Sequence, residues 1–230
     1  MAARSSSRAP LKIALIAAGS AVIAVWGGPK EDPVSAAAEQ RAPVPPKPPV
    51  TWIPSPHQDD RPAGAGIDTI VIHDTETPGI RQARTIANWF TNPRSGVSAH
   101  FIIGKAGEIV QCVPEIRRAF HAGPSLFRGR QKVNDFSLGI ELVNAQTGTD
   151  PFTEAQYDSL GRLVKHLMAK YDVPSDRIVG HHDVTLRPSV KRDPAPNFDW
   201  ERFMSALEIG PDSDIEKTVE NRGTMRRTAM

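Results

Sequence analysis

The sequence predicts an α/β fold: a single domain with a central mixed β-sheet flanked by helices and a cleft at the strand ends. Two observations carry the architecture. Short runs of β-branched and apolar residues alternate along the chain with segments of helical period. The longest helical segment also opens on a complete start signal, Thr153-Glu-Ala-Gln156. A third observation places the cleft. The histidines, carboxylates and lysines that could do chemistry fall at strand ends and on loops, where rigid elements can aim them into one space.

Taken in order, 69–72 (Thr-Ile-Val-Ile) is a buried strand that runs into His73. Ile80, Ala83, Ile86, Trp89 and Phe90 keep helical spacing, and Asn92-Pro93 ends that helix. Strands at 99–103 and 109–113 flank Gly104-Lys-Ala-Gly107, a hairpin signature. The stretch 137–142 (Ser-Leu-Gly-Ile-Glu-Leu) reads as another strand. The helix after Thr153 presents Tyr157, Leu160, Val164, Leu167, Met168 and Tyr171 on its apolar face. A short strand at 178–179 leads into His181, and a last helix runs from about Asp199 to Leu207.

The flanks differ in kind. Arg4, Arg8 and Lys12 precede the uncharged run Ile13 to Trp26, the pattern of an export signal. That run is shorter than the ~20 residues of a comfortable membrane helix. Residues 1–38 are therefore expected to be either a cleaved signal, with Ala36-Ala-Ala38 as the small-residue site, or a retained membrane anchor. Either outcome delivers the rest of the chain to the periplasm or cell envelope. Residues 39–65, rich in proline, read as a semi-rigid spacer. The domain is expected at 66–209, and the polar, aperiodic 210–230 as a disordered tail.

Composition narrows the function classes. With 28 Lys+Arg against 26 Asp+Glu, the near balance argues against a dedicated nucleic-acid binder. The single cysteine, Cys112, excludes an internal disulfide and a cysteine-rich zinc site. It lies in an apolar run and reads as a small buried hydrophobe. No His-Glu-x-x-His helix exists, which removes the common zinc-protease plan. His73 ends the apolar run 67–73, His181 follows the short run 178–180, and Asp193 comes twelve residues later. Two imidazoles and one carboxylate, with a fourth position left for water, form a catalytic rather than a structural coordination set. These three have no local spacing code, so their meeting depends on the fold.

The chain resembles the type 2 N-acetylmuramoyl-L-alanine amidases, a superfamily shared with peptidoglycan-recognition proteins and phage amidase lysozymes. The resemblance covers roughly 67–200. Its pieces come in family order: Ile70-Val-Ile-His73, Ser98-Ala-His100-Phe, Ala119-Phe-His121-Ala-Gly123, Asn134-Asp-Phe-Ser-Leu-Gly-Ile-Glu141, Val179-Gly-His181 and Lys191-Arg-Asp193-Pro. Their order favours the anhydro-muramyl-peptide amidase branch. The resemblance implies Zn2+ held by His73, His181 and Asp193, with Glu141 as general base and acid and Lys191 stabilising the oxyanion. The substrate would be peptidoglycan or a muropeptide, cut between N-acetylmuramic acid (possibly 1,6-anhydro) and L-alanine.

Each assignment has a structural competitor. His73 could be bonded to a backbone carbonyl, and His182 competes with His181. Asp193 could form a turn before Pro194, Glu141 could face solvent at a sheet edge, and Lys191 could be a solvated loop residue. His100 and His121 are substrate-side candidates that hydrogen-bonded structural histidines would explain equally well. Lys132 stands where the branch often carries an arginine for a stem-peptide carboxylate, and a lysine there loses bidentate geometry. Arg187, in a loop lengthened relative to that branch, could compensate. The rival from another class is a peptidoglycan-binding module of the same fold without turnover.

Overall fold

The computed structural model describes residues 43–208. Export segment and tail both lie outside these residues. Ten strands and four helices follow in chain order: β1 (Thr51–Trp52), β2 (Gln58–Asp60), β3 (Thr69–Asp74), α1 (Ala83–Phe90), β4 (Phe101–Ile103), β5 (Ile109–Gln111), β6 (Arg117–Ala119), β7 (Leu126–Phe127), β8 (Arg130–Gln131), β9 (Ser137–Leu142), α2 (Glu154–Tyr171), β10 (Ile178–Gly180), the single turn α3 (His181–Val184) and α4 (Trp200–Glu208). Six strands form the main sheet in the order β1-β5-β4-β9-β3-β10. Only the β4–β5 hairpin is antiparallel; β4, β9, β3 and β10 run parallel. The sheet is mixed, as expected.

Alternation along the central strands decides what each face does. In β9, Leu138, Ile140 and Leu142 point to one side and Ser137, Gly139 and Glu141 to the other. In β3, Ile70 and Ile72 share the first side, while Val71 and His73 share the second. The first side joins Leu160, Leu163, Val164 and Leu167 of α2 and Phe203 of α4 in the larger core. Each such side chain contributes about 1.5–3 kcal/mol by leaving water. The second side is covered over β4 and β5 by Ala83, Ile86, Ala87 and Phe90 of α1. Over β9 and β3 it carries polar groups instead.

The start signal of α2 is realised and extended. Thr153 Oγ1 accepts from the Gln156 amide at 3.1 Å, and Gln156 Oε1 accepts from the Thr153 amide at 3.1 Å. The same two side chains donate onward to the Lys105 and Val143 carbonyls, tying the cap to the hairpin turn and the end of β9.

One expectation is overturned. The proline-rich stretch 39–65 is not a spacer where it is described. From Pro43 onward it packs on the domain as a strap: β1 adds a parallel edge strand to β5, and β2 pairs antiparallel with β6. Its anchor is Arg61, whose guanidinium donates to the carbonyls of Asn134, Asp135, Glu115 and Ser137. Proline at an edge loses no ladder hydrogen bond, so the composition of a linker also suits an edge strap.

Candidate metal centre and active-site cleft

His73 is the fifth residue of β3 and pairs in register with Glu141 of β9, so both side chains rise from one face of adjacent parallel strands. His181 follows immediately on the neighbouring β10, at the start of α3. The chain then loops outward and returns at Asp193, whose carbonyl accepts from the His182 amide at 3.0 Å. Three buried groups from distant segments are thereby gathered. Ligand atoms of His73, His181 and Asp193 all lie within 4.8 Å of one another. Such clefts belong outside the carboxyl ends of parallel strands, where three of the central strands end here.

Hydrogen bonds fix which atoms face the meeting point. Ser137 Oγ donates to the Val133 carbonyl at 2.6 Å, so it can only accept from His121 Nε2, 3.2 Å away. Burial holds the His121 ring well below the usual imidazole range, so the ring is neutral and its Nδ1 is bare. That Nδ1 accepts from His73 Nε2 at 3.0 Å. Burial, only partly opposed by Asp193, lowers His73 to about 4; its own Nδ1 is therefore also a bare lone pair, 2.9 Å from Asp193 Oδ2. On the other side His181 Nε2 donates to the Ala122 carbonyl at 3.3 Å, and its Nδ1 faces Asp193 Oδ2 at 3.1 Å.

Asp193 is buried, with the two imidazole nitrogens facing its carboxylate. Its Oδ1 is buried and accepts no hydrogen bond. Lone pairs converging on an anion repel unless a cation lies among them. The donor set of two neutral nitrogens and one carboxylate oxygen suits Zn2+, and the chain supplies the outer hydrogen bonds that orient metal-binding imidazoles.

The N-acetylmuramoyl-L-alanine amidase profile matches residues 63–196, a span holding the whole cluster and Glu141. The chain belongs to this amidase family. It is 38% identical over 177 residues to the 1,6-anhydro-N-acetylmuramyl-L-alanine amidase AmpD of Enterobacter cloacae, covering 71% of this chain and 92% of that one. AmiD of Escherichia coli K12, an N-acetylmuramoyl-L-alanine amidase, is 37% identical over 122 residues, 46% of this chain and 43% of its own length. Among solved structures, a selenomethionine AmpD crystal structure superposes with a TM-score of 0.62 at 37% identity, covering 69% of this chain and 94% of that one. The E. coli AmiD complex with anhydro-N-acetylmuramic acid-L-Ala-D-gamma-Glu-L-Lys gives 0.54 at 30% identity, covering 67% and 63%.

The amidase cleft opens above the cluster with a volume of about 630 Å³, and His73, His121, Glu141, His181, Arg187 and Lys191 all line it. Glu141 is pushed well above the ordinary carboxyl range, first by burial and then by repulsion from Asp193 and Asp74. Its Oε2 has no hydrogen-bond partner. A cation at the cluster would relieve that repulsion, leaving a carboxylate beside it able to exchange a proton. Lys191 also lines the cleft, its Nζ 3.1 Å from Glu76 Oε1.

Two expected residues are not brought here. His100 is fully buried and does not line the cleft. Its Nδ1 accepts from the Gly139 amide at 3.0 Å, which leaves Nε2 to donate to the Arg117 carbonyl at 3.1 Å. It is a structural histidine. Lys132, exposed after β8 with φ of 57°, is likewise absent from the cleft wall. His182 is exposed and 3.2 Å from Asp183, so it faces away from the cluster. Cys112 is buried and its thiol is pushed up to about 12, in keeping with a packing role.

Sequence reasoning missed Ser137, Asn134 and Gly139. Asn134 Oδ1 accepts the amides of His121 and Ala122 and so seats the His121 loop. Gly139 lies beneath the His121 ring, where an added Cβ would stand 2.4 Å from its Cγ. The alternation of Ser137, Gly139 and Glu141 on one strand face was the available signal.

Proposed function

We propose that the chain is a zinc-dependent N-acetylmuramoyl-L-alanine amidase that hydrolyses the bond between N-acetylmuramic acid and L-alanine in peptidoglycan or its fragments. The observation that carries this reading is the convergence of buried His73, His181 and Asp193, their ligand atoms within 4.8 Å of one another, beside the carboxyl of Glu141. His73, His181 and Asp193 would hold the ion. When bound, zinc supplies Lewis acidity toward water and toward the substrate carbonyl. Glu141 takes the proton from the attacking water and returns it to the leaving alanine nitrogen. Lys191 lines the cleft as the fixed positive charge for the developing oxyanion, a contribution typically about 2.7–4 kcal/mol for such a donor. The buried floor excludes bulk water, which strengthens both interactions.

The relatives named as anhydro-muramyl amidases support 1,6-anhydro muropeptides as substrates. The charge pattern of residues 1–38 supports action outside the cytoplasmic membrane, in the periplasm or tethered to the envelope. Mass spectrometry of products from defined muropeptides, with and without the anhydro ring, tests the reading. Free sugar and free stem peptide should appear, vanish with a chelator and return with zinc. A Glu141→Gln protein should lose at least about a hundredfold in turnover. Intact substrate recovered from fully metallated protein would leave only the non-catalytic binding module.

A further inference from the structure

Each histidine of the metal cluster is followed by a residue that grips the segment carrying Asp193. After His181, the His182 amide donates to the Asp193 carbonyl at 3.0 Å. After His73, Asp74 accepts the Ala195 amide on its Oδ2 at 2.6 Å. Asp193 is thereby bracketed by the ends of β10 and β3, the same adjacent strands that aim the two imidazoles.

Asp74 is the buried carboxylate that the amidase reading leaves unused. It is the last residue of β3 and only 4% exposed. Alternation turns its side chain away from that of His73, to the face of Ile70 and Ile72, where Ala195 belongs to the larger core. A carboxylate so placed is costly unless donors meet it. Backbone amides meet both oxygens, Ala195 on Oδ2 and Glu76 on Oδ1 at 3.2 Å. The convergent ligand set is His73, His181 and Asp193 without it.

Pro194, between Asp193 and Ala195, has no N–H, so the Ala195 amide is the first donor after the ligand. Its ring also fixes its own φ, which shortens the slack between a held Ala195 and the Asp193 side chain. The second amide extends the grip. It closes a turn in which Glu76 has φ of 53°, and Glu76 Oε1 then pairs with Lys191 Nζ at 3.1 Å. The turn after β3 therefore holds the returning segment at Lys191 and at Ala195, on either side of Asp193.

We propose that Asp74 is a positioning residue: by holding the Ala195 amide it fixes the backbone that carries Asp193 and keeps this third ligand on the metal cluster. The proposal rests on the metal-binding part of the amidase reading and adds a residue to it. The hydrogen bond acts here, and the charge does not.

Zinc affinity of the full chain, measured by competition with a chelating dye, tests the clamp. Asp74→Ala leaves Ala195 unheld and should bind zinc about tenfold more weakly. Asp74→Asn keeps an acceptor oxygen for Ala195 without the charge, and should stay within about threefold of wild type. Asp74→Glu keeps the charge but displaces the oxygens by one methylene, and should resemble Asp74→Ala. Hydrogen exchange at the Ala195 amide of the zinc-free chain should follow the same order, slow in wild type and Asp74→Asn and faster in the other two. Wild-type zinc affinity in Asp74→Ala would overturn the proposal even if that protein melted earlier, since Asp74 would then only stabilise the fold. Equal losses in Asp74→Asn and Asp74→Ala would also overturn it, by assigning the effect to charge. Should Asp74→Ala fail to fold, the remaining pair decides: tighter zinc in Asp74→Asn than in Asp74→Glu supports the clamp, and the reverse order contradicts it. A wild-type chain that takes up no zinc fails the metal reading itself, whereas a zinc-binding wild type with an indifferent Asp74 fails only this clamp.

Discussion

Ser137 is three side chains from the nearest Asp193 oxygen, yet it sets what that oxygen meets. Its hydroxyl is committed to the Val133 carbonyl, so a proton must lie on His121 Nε2, and His73 must present its Nδ1 bare. Removing the hydroxyl frees both rings to change tautomer without disturbing the strand. Ser137→Ala should therefore keep its thermal stability within a few degrees and bind zinc about 10–100-fold more weakly, measured by competition with a chelating dye. Unaltered zinc affinity would show that the relay does not orient His73. Glu141 was legible at this scale because a carboxylate inside an apolar strand demands a function. Ser137 was not, since a serine at a strand start is ordinary and its meaning depends on a histidine from another segment. His100 shows the opposite failure. Its family-like surroundings pointed to substrate, but whether a strand-end histidine faces a cleft or a carbonyl is decided by the backbone packed above it.

At the scale of elements, the strap 43–65 does what the sequence did not reveal. Arg61 supplies donors to four carbonyls, and deleting it removes those hydrogen bonds. Arg61→Ala should cost about 3 kcal/mol or more of stability, read from urea unfolding. A loss under about 1 kcal/mol would mean that water replaces the guanidinium. Glu115 joins the same strap to α2, accepting from Lys47, Lys170 and Tyr171. Burial pushes this carboxyl up, but the lysines and the tyrosine outweigh it and bring it down to about 2 from an ordinary 4.5. Because the folded value is depressed, its stabilisation is complete above about pH 4.5 and disappears as pH falls toward 2. The partly exposed lysines are screened by solvent, which limits the effect to about 1–2 kcal/mol. Glu115→Gln should flatten the stability profile across that window, whereas an unchanged slope would place the acid sensitivity elsewhere. Strand, hairpin and helix positions were readable because their periods are local. The strap was not, because prolines at a sheet edge and prolines in a linker write the same composition.

For the whole molecule, the consequence is a boundary moved by more than twenty residues. A fragment starting at Pro43 should unfold cooperatively and retain activity, while one starting at Gly66 loses β1, β2 and Arg61 and should be poorly soluble or molten. Equal stability of the two fragments would return the strap to the status of a spacer. The α/β class and the mixed sheet were predictable from alternating elements, and the metal trio from a resemblance that no spacing code could have supplied. What the fold adds is the gathering itself: parallel strands β3, β9 and β10 end together, and the site residues ride on those ends.

The most direct test of that gathering is zinc stoichiometry by equilibrium dialysis, comparing the wild-type chain with Asp193→Ala and His182→Ala. Wild type and His182→Ala should each retain about one zinc per chain, and Asp193→Ala essentially none at the same free zinc. Stoichiometric zinc in Asp193→Ala, or none in the wild type, would contradict the account.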